Sequence, residues 1–202
     1  SYHEVMERYG SDKPDLRFGI EIKNVTDAVR DSEFRVFSET IKNDGVVKGI
    51  VAPGCGQYSR KDLDGVIDIA KKFGLKGLVW IIPQEDGQIR SSTGKHVAPE
   101  TLTEIVKTTD ANTGDLILLA ADKNETVLNA LGRLRLHFGE ILGLRDPNVV
   151  AFAFVVDFPQ FTWDEEANRY DPVHHMFVHP KEEHLPLLDT DPLKVISTQF
   201  DV

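Results

Sequence analysis

Cysteine is almost absent from this chain, which has one Cys, two Met and two Trp in 202 residues. Cys55 has no partner for an internal disulfide, and no pair of cysteines exists that could form a zinc ribbon or a redox motif. We therefore expect a protein of a reducing compartment, the cytoplasm.

Positive charge is also in short supply. The chain has 23 Lys+Arg against 33 Asp+Glu, which gives a formal net charge of −10. Neutralising phosphates requires clustered Lys and Arg side chains, so this composition argues against a stand-alone binder of nucleic acid or of an anionic membrane. A local basic patch would still be compatible with it.

Long apolar runs are missing as well. The longest, residues 149–156, is far shorter than the roughly 20 residues that cross a bilayer, so we expect no membrane partner. Residues 1–4 lack the basic and apolar regions of a signal peptide, and the chain does not begin with Met. Its last residues have the pattern of a strand with no turn after it. These features predict a piece of a longer protein, although 41% hydrophobic residues suffice for a folded core.

The middle of the chain alternates strands with amphipathic helices. Residues 34–41 begin with alternating apolar and charged side chains and predict a strand, which Asn43-Asp44-Gly45 would connect as a hairpin to residues 46–52. Apolar positions three and four apart predict three helices, at about residues 59–73, 99–106 and 124–142, separated by buried strands at residues 78–82 and 116–121. One sheet covered by helices, an α+β sandwich, is the expected architecture.

The two ends of the chain have a different pattern. Ser1 and Glu4 have the spacing of a capping box before a short helix that Gly10 would end, and a charged loop, residues 11–17, follows. After Asp146-Pro147 we expect a strand over residues 149–156 that is buried on both faces and therefore needs partner strands. A hairpin from residues 161–163 to 169–170 and a last strand over residues 195–200 complete the predicted elements.

Motifs for metals and phosphates are weak. Four of the seven histidines fall late in the chain, but their spacing matches no common zinc signature, so we expect no metal site. Gly54-Cys55-Gly56 and Gly94-Lys95 lack the further residues of a dinucleotide fingerprint or a P-loop and are predicted to be ordinary turns. The charged loop is either a solvated turn or a binding loop in which Lys13 or Arg17 contacts an anion.

Three segments carry a family resemblance, in the order in which that family has them. They are Tyr9-Gly10-Ser11-Asp12-Lys13-Pro14-Asp15-Leu16-Arg17-Phe18, then Val156-Asp157-Phe158-Pro159 with Trp163-Asp164-Glu165-Glu166, and finally His174-His175-Met176-Phe177. This set resembles the bacterial-type aspartyl-tRNA synthetases, with Met176 where the family usually has Pro. The segment between the motifs is similar to that family's inserted GAD domain, which includes a long helix with Leu128-Asn129-Ala130-Leu131-Gly132-Arg133-Leu134-Arg135.

The resemblance implies an organisation and an activity. Residues 1–31 would be a catalytic-domain flank, residues 32–145 a two-layer GAD insertion domain, and residues 146–202 a second flank, the flanks being parts of a class II synthetase antiparallel catalytic sheet. The family activates aspartate with ATP and Mg²⁺ as aspartyl-adenylate and transfers it to tRNA, as a cytoplasmic enzyme that is expected to be a homodimer. Its ATP-binding arginines have no counterpart in this chain, so we expect this part alone to be inactive and to hold no cofactor.

The resemblance also suggests site residues. His174 would help to hold the substrate aspartate, with His175 as a supporting candidate, and Ser11, Asp12 and Lys13 would form a structural or substrate-proximal loop. The basic side chains of the middle segment, among them Arg133 and Arg135, are expected to be solvated rather than to contact tRNA. The alternative hypothesis is a non-catalytic, tRNA-associated GAD-type module, as in a subunit of a tRNA-dependent amidotransferase, but such a module would lack the two flanking motifs.

Overall fold

A five-stranded antiparallel sheet organises the protein, whose computed structural model describes residues 1–202. Its strands are β1 (Lys23–Asn24), β2 (Val46–Ala52), β3 (Val79–Pro83), β4 (Ile89–Ser91) and β5 (Leu116–Asp122). They lie in the order β1-β2-β5-β3-β4, so the apolar strand β5 is central and pairs along its whole length with β2, from Leu116 opposite Ala52 to Asp122 opposite Val46.

Helices cover both faces of this sheet. Leu116, Leu118 and Ala120 of β5 pack in one core with α3 (Arg60–Lys71) and α5 (Asn124–Ile141), while Ile117 and Leu119 pack in a second core with α2 (Arg35–Lys42) and α4 (Pro99–Thr108). Alternate side chains of a strand point to opposite faces, which is why a continuous apolar run lies at the centre. The α+β class is confirmed, and the arrangement has three layers, one more than the expected two, because α2 and α4 cover the second face.

Local signals in the sequence explain most helix ends. Ser59 caps α3 through a capping box with Asp62, and Pro99 occupies the first turn of α4, as the pattern predicts. The predicted first helix is α1 (Tyr2–Tyr9), capped by Ser1 and ended by Gly10 at φ 67°. None of the five α-helices combines the length and the apolar character that crossing a bilayer requires.

The strand predicted for residues 34–41 is wrong, because this segment forms helix α2. Phe34, Phe37 and Ile41 are spaced three and four residues apart, and Phe37 is buried against the sheet, so the helical period prevails over a short alternation. Consequently Asn43-Asp44-Gly45 does not join two strands but links α2 to β2, with Asp44 at φ 56°.

The strand predicted for residues 149–156 is also wrong. Only Val155 of this run is buried, and it makes an isolated antiparallel bridge with Asp201, while Val150, Phe152 and Phe154 are 70–80% exposed. The predicted strand over residues 195–200 is likewise reduced to isolated bridges of Ile196 and Ser197. An apolar run forms a sheet only when other strands are available to pair with it. The hairpin is confirmed as β6 (Phe161–Asp164) and β7 (Arg169–Pro172).

The first residues of the chain pack onto the central sheet. Phe18, Ile20 and Ile22 belong to the core beneath α3 and α5, and β1 pairs with β2. Helix α1 lies against α5 with so little space that a Cβ atom added to Gly132 would lie 2.8 Å from the carbonyl oxygen of Gly10. The division at residues 31 and 145 stays a prediction, and the packing shows that residues 18–29 contribute to both cores of the middle segment.

Candidate functional site

The candidate site lies where the beginning and the end of the chain meet. The backbone N–H of Tyr2, at the start of α1, donates to the carbonyl oxygen of Val156 at 2.6 Å. The ring of Tyr2 lies 5.0 Å from that of Phe158, which is fully buried, and the ring of Phe158 lies 5.0 Å from the imidazole of His174 in an edge-to-face arrangement. This stack of three rings fixes the position of His174 relative to α1.

His174 has an unused hydrogen-bonding atom. Its Nε2 is buried and has no hydrogen-bond partner in the chain. The adjacent backbone is anchored, because the N–H of Val173 donates to the carbonyl oxygen of Gln160 at 3.1 Å. A buried polar atom without a partner costs about 1–3 kcal/mol, so this geometry fits a histidine whose partner is a ligand.

His175 occupies a different environment. Its ring stacks on Phe177 at 5.0 Å with an interplanar angle of 5°, and both side chains are exposed, Phe177 by 81%. The two neighbouring histidines therefore do not converge on one atom: His174 points into the ring stack, and His175 lies at the surface.

The loop of Ser11, Asp12 and Lys13 lies near the same ring stack. Burial raises the pKa of Tyr2, and the negative charge of Asp12 raises it further. Asp201, which Lys13 approaches, pairs with Val155, next to the Val156 that accepts from the Tyr2 N–H. Ser11 Oγ accepts a hydrogen bond from the N–H of Lys13 at 3.1 Å, and Lys13 Nζ lies 3.9 Å from Asp201 Oδ2. The Lys13 side chain is 76% exposed, so most of its ammonium group is available to an anionic ligand.

The second half of the loop is held firmly. Arg17 donates to both carboxylate oxygens of Asp15, at 2.9 and 2.8 Å, and this hydrogen bonding lowers the pKa of Asp15 to about 2. Arg145, which follows α5, places its Nε 3.4 Å from the same carboxylate. A bidentate arginine pair of this kind is a strong, orienting contact.

Asp157, in the segment that carries Phe158, has a left-handed backbone with φ 62°. Its carboxylate accepts a hydrogen bond from Lys181 at 2.5 Å, and the pKa of Asp157 is lowered by that hydrogen bond. Left-handed backbone is uncommon for a residue other than glycine and is retained where surrounding contacts support it. The ion pair provides such support directly beside the ring stack.

Arg135 is the residue that sequence reasoning missed. It was expected to be solvated, but its side chain is 1% exposed and lies between the rings of Tyr9 and Phe18. Its guanidinium donates to three backbone carbonyl groups of the segment 15–20. A signal was available, because residue 135 lies four positions after Leu131 and three before Phe138, on the apolar stripe of α5.

The other histidines of the late cluster have separate roles. His184 Nδ1 accepts a hydrogen bond from the N–H of Ile196 at 2.9 Å, and His179 Nδ1 lies 2.6 Å from the carbonyl oxygen of Pro180. The chain has no group of three or more His, Cys, Asp or Glu side chains that could hold a metal ion. Cys55 is buried, and burial raises the pKa of its thiol, as expected of an unreactive thiol.

Known proteins match both the middle of this chain and its two ends. The family model of the GAD domain matches residues 37–131. Over its full length the chain is 43% identical to the aspartate–tRNA(Asp/Asn) ligase of Caldanaerobacter subterraneus subsp. tengcongensis, and 46% identical to that of Moorella thermoacetica. It is 44% identical to the aspartate–tRNA ligase of Halalkalibacterium halodurans.

The chain spans about one third, 34%, of the length of each of these relatives. The similarity covers the loop after α1 and the histidine pair as well as the sheet between them, since all 202 residues are matched. The chain therefore matches the GAD family model at residues 37–131 and, from end to end, about one third of bacterial aspartate–tRNA ligases.

Proposed function

We propose that this chain is part of a ligase that activates aspartate with ATP as aspartyl-adenylate and transfers it to tRNA. The observation that carries the proposal is the identity of 42–46% across all 202 residues, flanks included, to proteins named for this reaction. We further propose that the whole enzyme acts in the cytoplasm as a homodimer. An amidotransferase-type module is disfavoured, because it would not be bracketed by the loop at residues 11–17 and the pair His174-His175.

His174 is the residue of this chain that we assign to aspartate. Its buried Nε2 lacks a partner, and an imidazole N–H there would donate to a carboxylate oxygen of the substrate. The edge-to-face contact with Phe158 holds the ring in place before the substrate arrives, so little ordering is left to the binding step. His175 stays a supporting candidate only, because its ring stacks on Phe177 at the surface, away from the Phe158 contact of His174.

The loop of Ser11, Asp12 and Lys13 supplies charge next to this position. The exposed ammonium of Lys13 is the cationic group of the loop, and a fixed cation stabilises the carboxylate of aspartate or the negative charge that develops on phosphate. Asp201 limits the directions that Lys13 Nζ samples, and the hydrogen bond from the Lys13 N–H to Ser11 keeps the turn closed.

ATP and Mg²⁺ are assigned to the part of the ligase beyond this chain. The chain has no group of three or more carboxylate, imidazole or thiolate side chains that could hold a metal ion. An exposed apolar face also suggests that further parts of the ligase pack against this chain. It is formed by Val150, Phe152, Phe154 and Phe200. Strands of the remaining catalytic sheet would cover this face, which a folded monomer rarely leaves in contact with water.

Aspartate-dependent exchange of pyrophosphate into ATP tests the proposal. We expect activity from the full-length enzyme and none from the 202-residue chain alone. In the full-length enzyme, His174→Ala should raise KM for aspartate about 10- to 100-fold, the range of a lost hydrogen bond to a charged group, and leave KM for ATP unchanged. His96→Ala, which alters an exposed histidine of the GAD domain, is the matched control. Exchange that depends on another amino acid, or an unchanged KM in His174→Ala, would contradict the assignment.

A further inference from the structure

Arg135 of helix α5 is a buried cation with an unusual set of partners. Its guanidinium carbon lies 4.1 Å from the centre of the Phe18 ring and 4.8 Å from that of Tyr9. Arg135 takes part in no salt bridge, and burial lowers its pKa from the ordinary value of an arginine, although the charges of Asp15 and Glu21 act in the opposite direction. Burying a cation without a carboxylate is costly, so the contacts that replace water around Arg135 should matter to the protein.

Those contacts are backbone carbonyl groups of one short segment. Nη2 of Arg135 donates to the carbonyl oxygens of Asp15 at 2.7 Å and Phe18 at 3.0 Å, and Nε donates to that of Ile20. The three acceptors are far from Arg135 in the chain, at separations of 115–120 residues. The planar, five-donor fork of a guanidinium matches several fixed acceptors at once, whereas the single ammonium of a lysine would not reach them all.

The segment that Arg135 holds continues directly into the candidate site. Asp15 is bound at its carbonyl group by Arg135 and at its carboxylate by Arg17 and Arg145. Two residues earlier, Lys13 lies beside Asp201. The loop is therefore fixed near one end by α5, and Lys13 at its other end lies beside Asp201, which pairs with Val155.

We propose that Arg135 is a positioning residue for aspartate binding, through which the part of helix α5 beyond the GAD match sets the conformation of the loop at residues 11–17. This inference rests on the proposed function and extends it, because it makes the second half of helix α5 part of the scaffold of the aspartate site. It assigns Arg135 no contact with substrate. Its effect reaches Lys13 through the backbone of residues 13–15.

The test uses the full-length enzyme and pyrophosphate exchange without tRNA. Arg135→Lys keeps the charge and loses the fork, and Arg135→Met loses both. We expect KM for aspartate to rise about 10- to 100-fold in Arg135→Met and less in Arg135→Lys, because displacing a positioning group by about 1 Å has effects of this size. KM for ATP should stay within about twofold of the wild-type value, since the hydrogen bonds of Arg135 go only to the segment 15–20.

Arg133→Met is the matched control, because it removes the same charge from the exposed side of the same helix. Loss of stability alone would lower kcat with the folded fraction and leave KM unchanged, so the folded fraction is measured by circular dichroism in parallel. If Arg135→Met or Arg135→Lys folds poorly, chemical rescue of Arg135→Ala provides a second readout. We expect low-millimolar guanidinium ion to restore part of the aspartate affinity that Arg135→Ala loses.

Unchanged KM for aspartate in folded Arg135→Met and Arg135→Lys would overturn the positioning role, as would an equal rise of KM for aspartate and for ATP. These outcomes differ from failure of the proposed function, in which the wild-type enzyme itself would show no aspartate-dependent exchange.

Discussion

Replacing Glu7 by glutamine removes the only carboxylate that pairs with Lys48, a lysine within the central sheet. The Lys48 side chain is 3% exposed and that of Glu7 is 29% exposed, and the second oxygen of Glu7 accepts a hydrogen bond from Asn124 at 3.1 Å. Lys48 belongs to β2, Glu7 to α1 and Asn124 to α5. The contacts of Glu7 therefore connect α1 to the sheet and to the long helix. We expect Glu7→Gln to destabilise the protein by leaving a buried ammonium group without its counter-charge.

The magnitude follows from the burial of the two partners. Removing one member of a fully buried ion pair costs about 3–5 kcal/mol. Water reaches one side of Glu7, which reduces the penalty, and we expect a loss of about 2–3 kcal/mol in the free energy of unfolding. With a denaturant dependence of about 2 kcal/mol per molar urea, the midpoint of unfolding should fall by about 1–1.5 M.

Urea unfolding of the 202-residue chain, followed by circular dichroism, measures this shift. Lys48→Met should cost less than Glu7→Gln, because methionine suits the buried position and Glu7 keeps its contact with Asn124 and with water. Glu21→Gln is the matched control, since Glu21 is as exposed as Glu7 but pairs with Arg8, whose side chain is 44% exposed. That substitution should cost less than about 1 kcal/mol.

A double-mutant cycle decides whether the pair is coupled. In Glu7→Gln/Lys48→Met the loss should be smaller than the sum of the two single losses, because no unpaired charge remains. Additive losses, or a loss in Glu7→Gln no larger than that in Glu21→Gln, would refute the reasoning.

The pH dependence provides an independent check. Burial raises the pKa of Glu7, but the hydrogen bonds from Lys48 and Asn124 and the charge of Lys48 outweigh it, so the pKa lies below the ordinary value. A carboxyl group with a lowered pKa stabilises the fold above its unfolded pKa and loses that contribution as pH falls through the folded value. The difference between wild type and Glu7→Gln should therefore shrink in acid.

Two further predictions concern the contact of α1 with α5 and the loop of the candidate site. Gly132→Ala should lower stability by about 1–3 kcal/mol, because the added Cβ would meet the backbone of Gly10. In the control Gly65→Ala, in α3, the added Cβ meets nothing within 4 Å, so stability should rise by about 0.5–1 kcal/mol. Thermal unfolding of both variants checks this. The Arg17 hydrogen bonds hold the pKa of Asp15 at about 2 against an ordinary value of 3.8, so its contribution is present above about pH 4 and is lost as pH falls towards 2. Between about pH 4 and pH 2, the free energy of unfolding should depend less on pH in Asp15→Asn than in wild type.

Much of the candidate site could be identified from sequence, because it depends on short motifs. The loop at residues 11–17 and the pair His174-His175 were recognised as contiguous strings. The different surroundings of the two histidines could not be predicted from sequence. His174 lies against Phe158 and His175 lies at the surface because of how distant segments fold together. The contacts of Arg135 with carbonyl groups more than 110 residues away were unpredictable for the same reason.

Elements with local causes can be predicted from the sequence alone. Helix α3 follows from its capping box and its apolar spacing, and β5 from an apolar run bounded by turns, since these signals act between residues a few positions apart. Which carbonyl groups Arg135 binds, and the exposure of Val150, Phe152 and Phe154, emerge only in the folded chain. Each of those outcomes depends on which distant strand, ring or carbonyl group is available as a partner, and that is a property of the folded chain.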